Sequence, residues 1–294
     1  MQHFLVPTDF SPEAHNAFEV ALQLAHRTGG HITLLHVLSG LSGSGGMVTT
    51  GGRTGGGNLD DLFMVQMLQL TKRRMHLLMA EAAETAPDVS VLDMVETGNL
   101  EDAVLDVIRR RQIDLVVIGA HEHAPGRHLF GAGSHAERLV RRAPCPVLTV
   151  KHPAPQFEAH SIVFASDFAP EADQAVPTLL QLRAVFPEAT LLLLDVASGA
   201  DQRAAALTRA QLYADRHALT GYEIAVPEEA LVTTGIQHYA EAAHADIVVM
   251  LSHGHAGLWH LWQGSIAEHV AVQAAPPVLT FHPWDQAGVG VAAG

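Results

Sequence analysis

Cysteine is almost missing. Cys145 stands alone in 294 residues, which excludes an internal disulfide and fits a reducing compartment. Positive charge is also scarce, 17 Lys and Arg against 31 Asp and Glu, and a formal net charge of −14 repels nucleic-acid phosphates and anionic lipid surfaces. Lys72-Arg73-Arg74 and Arg109-Arg110-Arg111 concentrate positive charge but are short and sit in helical patterns, so nucleic-acid binding is set aside. No apolar run approaches the roughly 20 residues that cross a bilayer. No basic-then-apolar leader precedes the first strand, which starts almost at Met1. The expectation is a cytoplasmic protein with neither a membrane nor a nucleic acid as partner.

What is abundant is repetition. LVPTDFSPEA from Leu5 returns as VFASDFAPEA from Val163. His36-Val37 recurs as Asp195-Val196, and Thr97-Gly98 as Thr234-Gly235. The runs from Asp114 and Asp246, the pairs Gly133-Ser134 and Gly264-Ser265, and the runs from Pro146 and Pro277 follow in the same order. The chain is an internal duplication. With 48% hydrophobic residues, each copy is large enough to bury its own core. The paired aspartates lie farther apart than the paired serines, so the first copy carries extra residues. The Gly/Ser/Thr stretch 39–58 accommodates them as a flexible loop. Domains are expected over 1–152 and 157–284, joined by the stiff connector His152-Pro153-Ala154-Pro155-Gln156 and followed by a flexible tail, 285–294.

Within a copy, short apolar runs alternate with amphipathic segments. Strands are expected over Phe4–Pro7, His31–Val37, Val89–Glu96, Asp114–Gly119 and Pro146–Val150. Helices are expected to about Thr28 after the Ser11-Pro12-Glu13 start, over Asp60–Ala86, over Leu100–Arg111 and over Ser134–Ala143. The second copy repeats the order, with strands near Ser161–Ala165, Thr190–Val196, Tyr222–Val226, Ile247–Leu251 and Val278–Phe281. Continuous apolar strands separated by helices imply α/β architecture: two tandem doubly wound domains, each a five-stranded, mainly parallel sheet with helices on both faces. Such sheets bind ligands beyond the carboxyl ends of their strands. There lie Asp9 and Asp167, Val37 and Val196, and the Gly/His-rich segments leading to Gly133-Ser134 and Gly264-Ser265, where free N–H groups at a helix start suit an anion.

These residues resemble the universal stress proteins in their tandem form. The resemblance rests on the strand-Asp-Ser-Pro-Glu-Ala opening, Leu-Leu-His-Val, the Gly-x2-Gly-x9-Gly-Ser loop and Ala-Pro-Cys-Pro-Val-Leu, and it covers nearly the whole chain. It implies an adenine nucleotide alpha hydrolase-like fold, in which Asp9 or Asp167 and Val37 or Val196 line an adenosine pocket. The loop glycines Gly119 and Gly133, or Gly254 and Gly264, with Ser134 or Ser265, would hold ribose and phosphates. In the first copy Glu122 replaces the second loop glycine and Gly133 arrives one residue late. In the second, Leu251 replaces the first glycine while Gly254 and Gly264-Ser265 keep their spacing. The second copy is therefore expected to be the better site for ATP with Mg2+.

Plainer readings compete. Ser134-x-x-Glu137 and Ser265-x-x-Glu268 both fit capping boxes. Asp9 and Asp167 suit loop-capping turns, and Gly98 and Gly235 suit turns ahead of helices. Cys145 reads as a small buried residue and the Met64, Met67, Met75 and Met79 series as core or interface. Among 20 histidines, His121, His123, His253 and His255 are weak metal candidates, because His-x-His in a loop lacks the spacing of a defined zinc site. The reading is a nucleotide-binding module of stress response rather than an efficient enzyme. Alternatives are a nucleotide-free dimeric scaffold, a metal-binding stress protein, or a slow ATPase. The resemblance implies pairing through the last strands, as a homodimer or as an intramolecular pseudo-dimer.

Overall fold

The computed structural model describes residues 1–38, 57–121, 134–252 and 266–282, with 57–63 described by backbone only. In the first half the order is β1 (His3–Pro7), α1 (Pro12–Thr28), β2 (His31–Leu38), α2 (Gly57–Thr85), β3 (Ser90–Thr97), α3 (Leu100–Arg111), β4 (Leu115–Gly119), α4 (His135–Arg142) and β5 (Val147–Val150). The second half runs β6 (Ser161–Ala165), α5 (Val176–Val185), β7 (Thr190–Leu194), α6 (Ala200–Arg216), β8 (Tyr222–Ala225), α7 (Val232–Ala242), β9 (Ile247–Leu251), α8 (Ile266–Gln273) and β10 (Val278–Phe281).

All ten strands form one sheet in the order β3-β2-β1-β4-β5-β10-β9-β6-β7-β8. Pairing is parallel within each half and antiparallel only where β5 meets β10, with Leu148 opposite Leu279 between Val147↔Thr280 and Thr149↔Val278. The expected pairing through the last strands thus takes its intramolecular form. Neither β5 nor β10 has an edge left for a second copy, so a homodimer through these strands is corrected to a pairing of the two halves.

Pleating sends alternate residues to opposite faces. Phe4, Val6, Ile162 and Phe164 join a core covered by α1, α2, α5 and α6, while Leu5, Val163 and Ala165 join a core covered by α3, α4, α7 and α8. Each of these cores runs across both halves. Where α4 meets α8, Arg141 makes a two-pronged ion pair with Glu268, whose side chain is nearly buried. The connector is stapled to α1: the Gln23 amide donates to Ala154 O (2.8 Å) and accepts from Phe157 N, and Phe157 is buried edge-on against Phe186.

Local chemistry explains most boundaries. Ser11 caps α1 by accepting from Ala14 N, Pro12 stands in the first turn, and Gly29 in the left-handed conformation closes the helix. The acids that open β4 and β9 are structural. Asp114 Oδ2 accepts from Gln2 N and His3 N (2.7 and 3.0 Å), and Asp246 Oδ2 from His160 N and Ser161 N (2.7 and 2.9 Å), so each ties one strand start to its neighbour.

Several expectations need correction. Gly57 and Asn58, expected at the end of the loop 39–58, belong to α2, while residues 39–56 and the tail 285–294 lie outside the described residues. The second copy does not repeat α1: Pro170–Ala175 is a 3-10 turn leading into α5. Pro177 has no N–H for the Asp173 carbonyl that an uninterrupted α-helix would use. Strand β7 stops at Leu194 rather than Val196, and only Ala197 bridges onward, to Glu228. Gly235 is not a turn residue like Gly98 (φ 119°) but lies inside α7, where a Cβ would come 2.6 Å from Val196 Cγ1. In the series Met64, Met67, Met75 and Met79, Met75 is buried and the other three are half-buried.

Because both cores are shared, the halves are expected to unfold as one unit. Leu279→Ala, at the centre of the β5–β10 pair, is expected to cost about 3 kcal/mol and to shift a single urea transition followed by circular dichroism. A transition that splits in two would show that the halves unfold independently.

Candidate functional site

The carboxyl ends of β1 and β6 lead into the same elbow. Thr8 Oγ1 accepts from Phe10 N (3.0 Å) and Asp9 Oδ1 from Ser11 N (2.9 Å). Ser166 Oγ accepts from Phe168 N (3.0 Å) and Asp167 Oδ1 from Ala169 N (3.1 Å). Both phenylalanines adopt positive φ, 65° and 55°, a conformation bulky residues avoid unless the surroundings hold them there. The aspartates therefore do cap the turn, and both stay exposed at the sheet edge.

The rings differ in their surroundings. Phe10 stacks on His36 (centroids 4.8 Å) beneath the Arg74 guanidinium (4.3 Å), and His36 Nδ1 donates to Thr8 O (2.7 Å). Phe168 packs into Phe164 and Tyr213. Arg209 from α6 donates to Asp167 O (3.0 Å) and to Asp195 Oδ2 (2.7 Å), so one cation ties the elbow to the end of β7. Burial pushes the Asp195 carboxyl above its ordinary range, and Arg209 only partly opposes the shift. Arg209 escaped the sequence reading, and Arg74 entered it only within the Lys72-Arg73-Arg74 cluster, because neither belongs to a binding motif. Their only signal is a cation on the second helix of each copy, visible once the helix is folded over the elbow.

Val37 ends buried in β2, whereas Val196 lies just past β7, half-exposed and in contact with Gly235. Gly119, at the end of β4, is close-packed. A Cβ there would stand 2.5 to 2.6 Å from the backbone of Glu13 and Ala14, so the missing side chain admits the first turn of α1. Leu251 fills the matching position at the end of β9, buried in the core, opposite the 3-10 turn that replaces that helical start. The Gly119–Leu251 difference thus accompanies a change in the packing of the preceding segment.

Ser134 makes the expected capping box: its hydroxyl accepts from Glu137 N (3.1 Å) and Glu137 returns a bond to Ser134 N. Two basic side chains at this helix start are already engaged. The side chain of Glu101, 2% exposed, accepts from His135 Nδ1 (2.8 Å) and Arg138 Nε. Burial would raise the Glu101 carboxyl, but the bonds from His135 and Arg138 outweigh it and hold the group down at about 2. His121 Nδ1 stands 3.3 Å from Glu13 Oε2, at ion-pair distance though without hydrogen-bond alignment. Burial also opposes ionisation of Asp9, yet bonds from Ser11, aided by His121, keep its carboxyl below the usual range. Gly133, Gly254, Gly264, Ser265, His123, His253 and His255, together with Glu122, Arg127, Trp259 and Trp262, lie outside the described residues. The structure brings together Asp9 with His121 in one half, and Asp167 with Asp195, through Arg209, in the other.

A doubly wound α/β sheet with paired elbows at its carboxyl edge defines the class, a tandem α/β protein. A profile of the universal stress protein family matches the chain over residues 1–151 and 158–282, and the chain belongs to that family. Universal stress protein Slr1230 of Synechocystis sp. is 27% identical over 302 residues, covering 96% of this chain and all of that protein. Among solved structures, a universal stress protein from Archaeoglobus fulgidus superposes with a TM-score of 0.70 at 16% identity, covering 96% of this chain and 98% of that one. A Pseudomonas aeruginosa protein of unknown function superposes with 0.60 at 19%, covering 97% and 94%. These likenesses establish the fold.

Two outcomes follow from the packing. Gly119→Ala is expected to lose about 2 kcal/mol by overpacking against α1, read as a lower denaturation midpoint with ligand absent. Glu101→Gln is expected to lose about 2 kcal/mol at pH 7. Because the folded carboxyl titrates near 2 and an unfolded one near 4.5, its contribution is complete above pH 4.5 and lost as pH falls towards 2. Urea titrations of wild type and variant should therefore converge across that window.

Proposed function

We propose that the chain is a binding module for an adenine nucleotide, ATP with Mg2+, acting in stress response, with the better site at the second elbow. The observation that carries this reading is the elbow itself. It spends one oxygen of Asp167 on its own backbone and leaves the carboxylate exposed at the sheet edge, where a doubly wound fold offers a ligand its crevice. Val196 supplies an apolar wall beside it. Residues 254–265 keep the glycine spacing suited to phosphates at the start of α8, whose free N–H groups favour negative charge. Bound Mg2+ would neutralise part of the triphosphate charge. In the first half Asp9 and Glu13 already place two carboxylates near the end of β4, and Glu122 adds a third nearby in sequence, which disfavours a triphosphate.

A nucleotide-free scaffold is the second reading. One observation favours it: groups that would face a ligand are tied to one another, Arg209 between Asp167 and Asp195, and Ser134 with Glu137.

Isothermal titration of metal-stripped protein with MgATP separates the two. Saturable binding is expected, weakened at least tenfold by Gly264→Glu and by Asp167→Ala, and retained in Asp9→Ala. Absence of heat in the wild type at high protein concentration would overturn the nucleotide reading, and phosphate release in the same samples would reveal a slow ATPase.

A further inference from the structure

Helices α1 and α2 meet at a cluster unlike anything at the matching place in the second half. His15 and Glu19, one turn apart on α1, converge with Glu81 on α2. His15 Nε2 lies 3.5 Å from Glu19 Oε1 and 3.8 Å from Glu81 Oε1, and one ligand atom from each of the three falls within 4.8 Å of the others. These separations are too long for hydrogen bonds, so the imidazole nitrogen is committed to neither carboxylate. An ion held at about 2.1 Å by three tetrahedral ligands sets their donor atoms about 3.4 Å apart. Small rotations of the half-buried Glu19 and the exposed Glu81 close the remaining gap. We propose that His15, Glu19 and Glu81 form a binding site for a borderline divalent transition ion such as Zn2+, which clamps α2 to α1.

Two further observations support the clamp. At the matching place in the second half, between the 3-10 turn and the end of α6, the charges are already complementary: Asp173 accepts from Arg216 (3.1 Å) and His217 (2.8 Å), and the Tyr213 hydroxyl donates to Ala172 O. In the first half the same junction gathers two carboxylates and one imidazole, and His15 is their sole ion-pair partner among the described residues. A divalent cation supplies the charge that Arg216 supplies in the other copy. Helix α2 also needs an anchor. Of its described side chains only Thr71, Met75 and Ala82 are buried, while Val65, Leu68, Leu70 and Leu77 are exposed. One imidazole with two carboxylates suits Zn2+, Co2+ or Ni2+ better than Ca2+ or Mg2+, which take oxygen ligands alone.

The test is Zn2+ binding to the full chain by isothermal titration in a non-coordinating buffer, comparing wild type, Glu81→Gln, Glu19→Gln and a variant with His121, His123, His253 and His255 all changed to Gln. The expected result is one strong equivalent in wild type, weakened on the order of tenfold or more in either glutamine variant and unchanged in the loop variant. Zn2+ should also slow amide exchange across residues 64–85 in wild type but not in Glu81→Gln. Because Glu19 and Glu81 are partly or largely exposed, both variants are expected to keep the wild-type circular dichroism spectrum. The proposal is overturned if wild type binds no Zn2+, if both glutamine variants bind as tightly as wild type, or if binding disappears only in the loop variant.

Discussion

Because β5 and β10 run antiparallel and share hydrogen bonds, the inner edges of the two half-sheets disappear into one another, and everything else is arranged around that seam. It makes ten strands continuous and lets each face carry one core across both halves. It also brings α4 against α8, where Arg141 and Glu268 pair. The exposed edges that remain, β3 and β8, are the outermost strands, each bordered by a helix. Burying an unpaired strand edge against its own copy removes the surface through which such sheets otherwise associate.

The two halves keep the same skeleton and differ in how charge is distributed over it. Both preserve the elbow, with Thr or Ser, then Asp, then Phe at positive φ, and both tie the first strand to the fourth through an aspartate. Away from those points the copies diverge in linked ways. A helical start needs Gly119 beneath it, whereas a 3-10 turn accompanies Leu251. His36 beside Phe10 becomes Asp195 held by Arg209. The pair of Asp173 with Arg216 has no arginine or lysine counterpart at His15, Glu19 and Glu81. The copies thus differ in which charged groups meet at the elbow and beside it, while both carry salt bridges elsewhere.

Much of the fold was legible because its signals are local. Ser11-Pro12 and Ser134 mark helix starts by their capping chemistry, and the apolar runs from Leu115 and Ile247 fit strands covered on both faces. The elbow aspartates were legible as paired positions, and Ser134 as a capping box. What could not be read depends on contacts between distant segments: Arg74 and Arg209 over the elbows, Glu101 beneath His135 and Arg138, and Glu81 beside His15. Gly235 was misread because a glycine before a helix and a glycine inside one look alike until Val196 is seen against it.

The sequence by itself determined that this protein is a duplication of a parallel α/β unit, because period, capping residues and repeated landmarks are carried by neighbouring residues. Only the tertiary structure decided that the last strands pair with each other within the chain. Likewise, only the fold decided which cations stand over which carboxylates, since those outcomes depend on side chains far apart in sequence meeting across helices and across the central seam.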